Sequence, residues 1–135
     1  MASKGRPYRS LEFEGYEILI GRGDAENDEL TFRVARPNDI WLHVGGGTPG
    51  SHVVVRNPDG GEVPRPVIER AAAHAAWFSK ARNASRVDVH VCRAADVTKP
   101  RGAKRGTVQL KRHKRVRVQP EAPALGVADV SDEEG

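Results

Sequence analysis

Asp39-Ile40-Trp41-Leu42-His43, followed by Pro49-Gly50-Ser51-His52-Val53-Val54-Val55-Arg56, is the stretch on which the fold of this chain turns. Side chains alternate between the two faces of a strand. Ile40, Leu42 and Val44 therefore share one face of the first run, and Trp41 and His43 the other. In the second run Val53 and Val55 oppose His52, Val54 and Arg56. The link between them carries Gly45, Gly46, Gly47 and Gly50, and glycine allows both positive φ and close backbone approach. The two runs are expected to pair antiparallel. This arrangement buries Ile40, Leu42, Val44, Val53 and Val55, and leaves Trp41, His43 and His52 on the opposite face, beside the loop.

Upstream, residues 16–20 read as a strand ended by Gly21. Leu30 and Val34 stand at i, i+4, so a short helix is expected over about 25–35, capped by Asp24. The alternation of Leu30, Phe32 and Val34 keeps a strand as the alternative. Residues 1–14 carry Lys4, Arg6 and Arg9 with little apolar material and read as a flexible basic arm. Downstream, Pro64 and Pro66 suit a helix start, where a missing N–H costs nothing. The alanine-rich residues 67–81 form the clearest helix, with Val67, Ala71, Ala75 and Phe78 in one stripe. Val87, Val89 and Val91 alternate with Asp88, His90 and Cys92 as a strand. Residues 107–110 and 116–118 read as two closing strands around a turn at 111–115.

The expected architecture is a single compact α+β domain, an antiparallel or mixed sheet packed by one long Ala-rich helix and one shorter helix. It spans residues 15–120, between the arm and a disordered acidic tail over 121–135. No run of about 18 apolar residues exists to span a membrane. The opening Met-Ala-Ser-Lys-Gly-Arg-Pro has no apolar core of a secretory signal, so a cytoplasmic protein is expected. The lone Cys92 excludes an intrachain disulfide and fits a small buried residue.

Charge points to a polyanion. Glu121, Asp129, Asp132, Glu133 and Glu134, with no Lys or Arg, give residues 121–135 a net charge of −5, so residues 1–120 carry +9 of the chain's total of +4. Lys99, Arg101, Lys104, Arg105, Lys111, Arg112, Lys114, Arg115 and Arg117 fall in one window with no acid between Asp96 and Glu121. Such a window binds phosphates through counterion release. An exposed Trp41 would stack on an unpaired base; a core tryptophan is the alternative.

Other chemistry is less well supported. His43, His52 and Asp39 lack the spacing of a zinc site, and no metal or cofactor is expected. Asp39, Ser51, His43 and His52 include the residue types of a hydrolase triad. However, neighbouring Ser51 and His52 point to opposite faces, and no nucleophile-elbow pattern is present. Gly21-Arg22-Gly23 is too short for a phosphate-binding fingerprint. No catalytic residue is assigned.

Six motifs in order resemble a known family: Gly21-Arg22, Asn27-Asp28-x-Leu30-Thr31-Phe32, Asp39-x-Trp41-Leu42-His43, Pro49-Gly50-Ser51-His52-Val53-Val54, Ala71-Ala72 with Ser79-Lys80-Ala81-Arg82, and Lys99-Pro100-x-Gly102-Ala103-Lys104-x-Gly106. Over residues 17–119 the chain resembles the NFACT-R domain, the RNA-binding module of the ribosome-associated quality-control factors. The resemblance implies recognition of a structured RNA, tRNA or rRNA, in translation or ribosome-associated quality control, with the large ribosomal subunit as a candidate partner. It implies the module as a stand-alone protein, without the elongation activity of the longer family members. Arg22, Arg56, Lys80, Arg82, Lys99, Arg101, Lys104 and Arg105 are then expected to hold RNA backbone. Asp39, Trp41, His43, Gly50, Ser51 and His52 are expected to shape or read a local feature. Two alternatives stand beside this reading: an RNA-modifying or hydrolytic enzyme using Asp39, His43 and His52, and a basic protein-interaction domain.

Overall fold

Glu14 and Gly15 both adopt positive φ, 53° and 83°. A two-residue hairpin loop of this kind matches the twist of the strands it joins. It links β1 (Tyr8–Phe13) to β2 (Tyr16–Gly21), paired antiparallel from Tyr8↔Gly21 to Phe13↔Tyr16. The computed structural model describes residues 8–124. The loose arm expected over 1–14 is therefore, from Tyr8 on, an edge strand. Its anchors are modest: Leu11 and Phe13 pack on the core, and the Arg70 guanidinium sits 4.4 Å from the Phe13 ring centroid. Residues 1–7 of the arm lie outside the described residues.

After Gly21-Arg22-Gly23 the chain enters α1 (Asp24–Glu29) and continues through one wider π-helical turn, Leu30–Val34, closed by Ala35 N–H donating to the Leu30 carbonyl at 2.9 Å. The helix expected over 25–35 forms, but Asp24 is its first residue and Gly23 takes the cap position. Leu30 and Thr31 are both buried against the sheet. Then come β3 (Ile40–Val44), β4 (Val53–Val55), α2 (Arg65–Trp77), β5 (Val87–Arg93), β6 (Val97–Thr98), β7 (Gln109–Leu110) and β8 (Lys114–Val118). The six-stranded sheet has the order β1-β2-β4-β3-β5-β8, antiparallel at every pairing. The fold is α+β, with β3 and β4 paired Ile40↔Val55 to Leu42↔Val53.

One sheet face carries Ile18, Ile20, Leu42, Val44, Val53, Val55, Val87, Val89 and Val118, and packs under Val67, Ala71, Ala72, Ala75 and Ala76 of α2. The alanines let the helix sit close to the sheet. Pro64 takes the α2 cap position and Pro66 lies in its first turn. The helix ends at Trp77 rather than 81, where Phe78 turns to φ −90°, ψ 44°.

The opposite face is also covered. Leu19, Trp41, Val54 and Cys92 pack with Leu30 from the helical segment and Val97 from β6. The alternation of β3 is therefore as expected, but its second face is a second core. β7 and β8 do not form the expected hairpin: β7 pairs with β6 over that second core, and β8 pairs with β5 at the sheet edge. The basic link between them carries the chain from one layer to the next. The first residue of the expected tail is docked: Glu121 N–H donates to the Ala73 carbonyl, and its own carbonyl lies 2.7 Å from His74 Nδ1. Residues 125–135 lie outside the described residues.

Candidate nucleic-acid interface

The residues that follow α2 run beside the end of the glycine loop. Ser51 N–H donates to the Phe78 carbonyl at 2.9 Å and Lys80 N–H to the Pro49 carbonyl at 3.0 Å. A β-carbon on Gly50 would fall 2.7 Å from Ser79 Cβ, so the close approach requires glycine there. This contact places Lys80 and Arg82 beside Ser51. Arg22 arrives from the turn before α1, and Arg9 from β1. Together they line a groove of about 410 Å³ whose one acid is Asp24. Aromatic rings hold two of the cations in place. The Arg9 guanidinium sits 4.9 Å from the Phe78 ring centroid and that of Arg82 4.5 Å from the Trp77 centroid, with Arg82 Nε also donating to the Trp77 carbonyl.

The loop over 99–106 is stapled to α1. Lys99 Nζ donates to Asp28 Oδ2 at 2.9 Å, to the Thr107 carbonyl at 3.1 Å and to the Lys104 carbonyl. Gly106 N–H donates to Asp28 Oδ1 at 3.1 Å. Lys99 thus clamps the loop, with its charge paired to Asp28. Arg101, Lys104 and Arg105 remain exposed.

Trp41 is only 1% exposed, which removes it as a base-stacking platform. Its Nε1–H donates to Thr31 Oγ1 at 3.0 Å, and that oxygen lies 2.8 Å from His52 Nδ1. The Thr31 hydroxyl thus bridges the indole and the imidazole, joining both rings to the helical segment. The Gly106 carbonyl provides a backbone partner for the ring. Burial first, and then neighbouring His43, push the His52 pKa down to about 3. His52 is a buried, neutral ring whose hydrogen bonds are made inside the fold. Asn27 completes the frame, accepting from His52 N–H at 3.1 Å and donating to the Gly50 carbonyl at 3.2 Å.

Asp39 and Arg56 also turn inward. The buried Asp39 carboxylate accepts from Asn57 N–H at 2.7 Å and Arg36 N–H at 2.9 Å, and pairs with Arg56 Nε at 3.5 Å. Arg56 donates to the Val34 carbonyl at 3.1 Å. These two residues tie the turns at the start of β3 and the end of β4. His43 lies four residues farther along the chain, about 13 Å at strand rise. Asp39, His43 and His52 do not assemble, and the enzymatic alternative loses its constellation. Among the described residues no group of three or more His, Cys, Asp or Glu could hold a metal ion.

His43 is half-buried, with ring centroids 5.2 Å from His52 and 5.9 Å from Trp41. Burial holds its pKa below the usual histidine value. It lies across from His90 in the β3–β5 register, and the His90 and His113 centroids are 4.1 Å apart. His43, His90, Thr48, Arg105, Val108 and Leu110 line a second cleft of about 390 Å³ beneath the glycine loop. Asp24, Pro49 and Gly50 line both clefts and form their shared rim.

The structure therefore brings together Arg22, Gly50, Ser51, Lys80 and Arg82, and adds Arg9. His43 lines a separate cleft. Asp39, Trp41 and His52 are buried, and the partly exposed Arg56 and Lys99 are paired with Asp39 and Asp28. Asn27, Asp28 and Thr31 were not expected to frame the site, although all three stand in the Asn27-Asp28-x-Leu30-Thr31 motif.

Residues 6–112 match the family described as NFACT protein RNA binding domain. The chain belongs to the NFACT-R family. It is 44% identical over 111 residues to the Rqc2 homolog RqcH of Bacillus subtilis (strain 168), covering 82% of this chain and 19% of that protein. A second Rqc2 homolog RqcH, from Streptococcus suis (strain 05ZYH33), is 40% identical over 116 residues, covering 85% of this chain and 20% of the relative. The chain thus spans about a fifth of the length of these relatives. The C-terminal part of the fibronectin/fibrinogen-binding protein from Streptococcus suis is a similar solved structure, with a TM-score of 0.78 and 38% identity over 88% of this chain and 47% of that one. β8 lies wholly beyond the residues matched to the NFACT-R family.

Proposed function

We propose that this chain is an RNA-binding module that holds a structured cytoplasmic RNA, tRNA or rRNA, in ribosome-associated quality control, with the large ribosomal subunit as its working partner. The observation that carries the reading is the convergence of Arg9, Arg22, Lys80 and Arg82 on one groove around Ser51. Four cations from three separate parts of the fold suit a phosphodiester backbone, which offers successive charges. Arg101, Lys104 and Arg105 extend the positive field. Family membership supports RNA as the polyanion, and the RqcH relatives support the ribosomal setting.

The test is competition. Labelled tRNA bound to the protein is challenged with unlabelled tRNA, an rRNA fragment and a DNA duplex of equal charge. RNA competing at least tenfold better than DNA supports the reading. Equal competition reduces the groove to a general polyanion surface.

A further inference from the structure

We propose that the second cleft, under the glycine loop, receives an unpaired nucleobase of the RNA whose backbone lies in the cationic groove. The inference rests on the RNA-binding reading and adds to it a place where base identity is sensed.

The two clefts differ in chemistry. The groove gathers four cations; the cleft has Arg105 as its one Lys or Arg and is lined by His43, His90, Val108 and Leu110 over the edge of Trp41. Apolar side chains and imidazole faces suit a planar heterocycle better than a phosphate. Burial holds the pKa of His43 and of His90 below the usual histidine value. Backbone groups of Val44 and Gly50 engage the His43 ring, so a base would meet fixed, uncharged imidazoles. His90 is steadied by His113 on one side and by the loop on the other: a β-carbon on Gly45 would fall 2.5 Å from His90 Nε2. Gly46 and Gly47, at φ 71° and 76°, leave the outer rim free of side chains, with nothing within 4 Å of either β-carbon position. The clefts meet at Asp24, Pro49 and Gly50. A chain whose phosphates occupy the groove can therefore turn one neighbouring base over that rim.

The experiment compares short single-stranded RNA oligomers with an abasic ribose-phosphate chain of the same length and charge, at fixed salt. The base-bearing oligomer should bind about tenfold more tightly, the scale of one stacked base. In His43→Phe, which keeps the ring and removes its polar edge, that ratio should shrink and preferences among homopolymers should flatten. Lys80→Ala should weaken both ligands together. Ultraviolet crosslinking of the wild-type protein with an iodouridine oligomer needs no variant, and should label residues 43–50, 90 or 105–110. Equal affinity for the base-bearing and abasic chains, or crosslinks confined to residues 78–82, overturns the base site and leaves the RNA reading standing. Failure of both ligands to bind overturns both.

Discussion

Removing the Thr31 hydroxyl is expected to unfold this domain at much milder conditions, although the residue is small and touches no ligand. Thr31→Val keeps the side-chain shape. It leaves Trp41 Nε1–H without its acceptor at 3.0 Å and His52 Nδ1 without its partner at 2.8 Å. Trp41, His52 and Thr31 are 1%, 1% and 4% exposed, so water cannot replace the lost hydroxyl without opening the core. Each stranded buried polar group costs about 1–3 kcal/mol. Two such groups give a loss of about 3 kcal/mol, allowing for partial relaxation. For a domain of this size that lowers Tm by about 10 °C. Thr31→Ser separates the hydroxyl from the methyl, because it retains both hydrogen bonds and loses about 1 kcal/mol of apolar burial. Urea unfolding followed by tryptophan fluorescence measures all three proteins. A Thr31→Val midpoint within about 0.5 kcal/mol of wild type would falsify the claim that this network holds the second core together.

Other expectations follow from the same geometry. His52 has a pKa of about 3 in the folded protein against 6.5 for the unperturbed group. The unfolded chain therefore binds the extra proton first, and stability present above pH 6.5 is lost as pH falls toward 3. At pH 5 the loss from His52 is about 2 kcal/mol, read from urea midpoints at pH 7.5 and 5; a flat profile contradicts a neutral buried ring. Gly45→Ala brings its methyl group against His90 and should cost about 1–3 kcal/mol, with shifted His90 and His113 ring resonances. Asp28→Ala removes the acceptor of both Lys99 Nζ and Gly106 N–H, so amide exchange should rise through residues 99–107 while α2 stays protected. Unchanged exchange there would show that the loop is held by other contacts.

Much of this architecture is legible in the residues themselves. The alternation of Ile40, Leu42 and Val44 against Trp41 and His43 places each side chain on its observed face. What alternation cannot give is whether the second face is open, since parity says nothing about what lies above it. A signal was present in the consecutive apolar runs Ile18-Leu19-Ile20 and Val53-Val54-Val55, the mark of a strand buried on both sides. β1 was hidden because Glu14-Gly15 is a weak hairpin signal beside Asn-Gly, and because Arg9 and the basic residues before it resemble an arm. Of the residues named from sequence, Arg22, Ser51, Lys80 and Arg82 line one groove. Asp39, Arg56 and Lys99 do not, because a charged residue in a turn motif can serve the backbone as readily as a ligand. That choice depends on partners distant in sequence: Asn57 N–H for Asp39, the Val34 carbonyl for Arg56, and Asp28 for Lys99.

The central claim is that the groove of Arg9, Arg22, Lys80 and Arg82 holds RNA backbone. It is tested most directly by the salt dependence of tRNA binding in wild type and in the Lys80→Ala/Arg82→Ala double variant. Each phosphate contact contributes about 0.7–0.9 to the slope of log K against log salt. The account predicts a steep wild-type slope that falls by about 2 in the double variant, with affinity reduced for every RNA alike. The same slope and affinity in both proteins would contradict it, and would place the RNA on another face of the molecule.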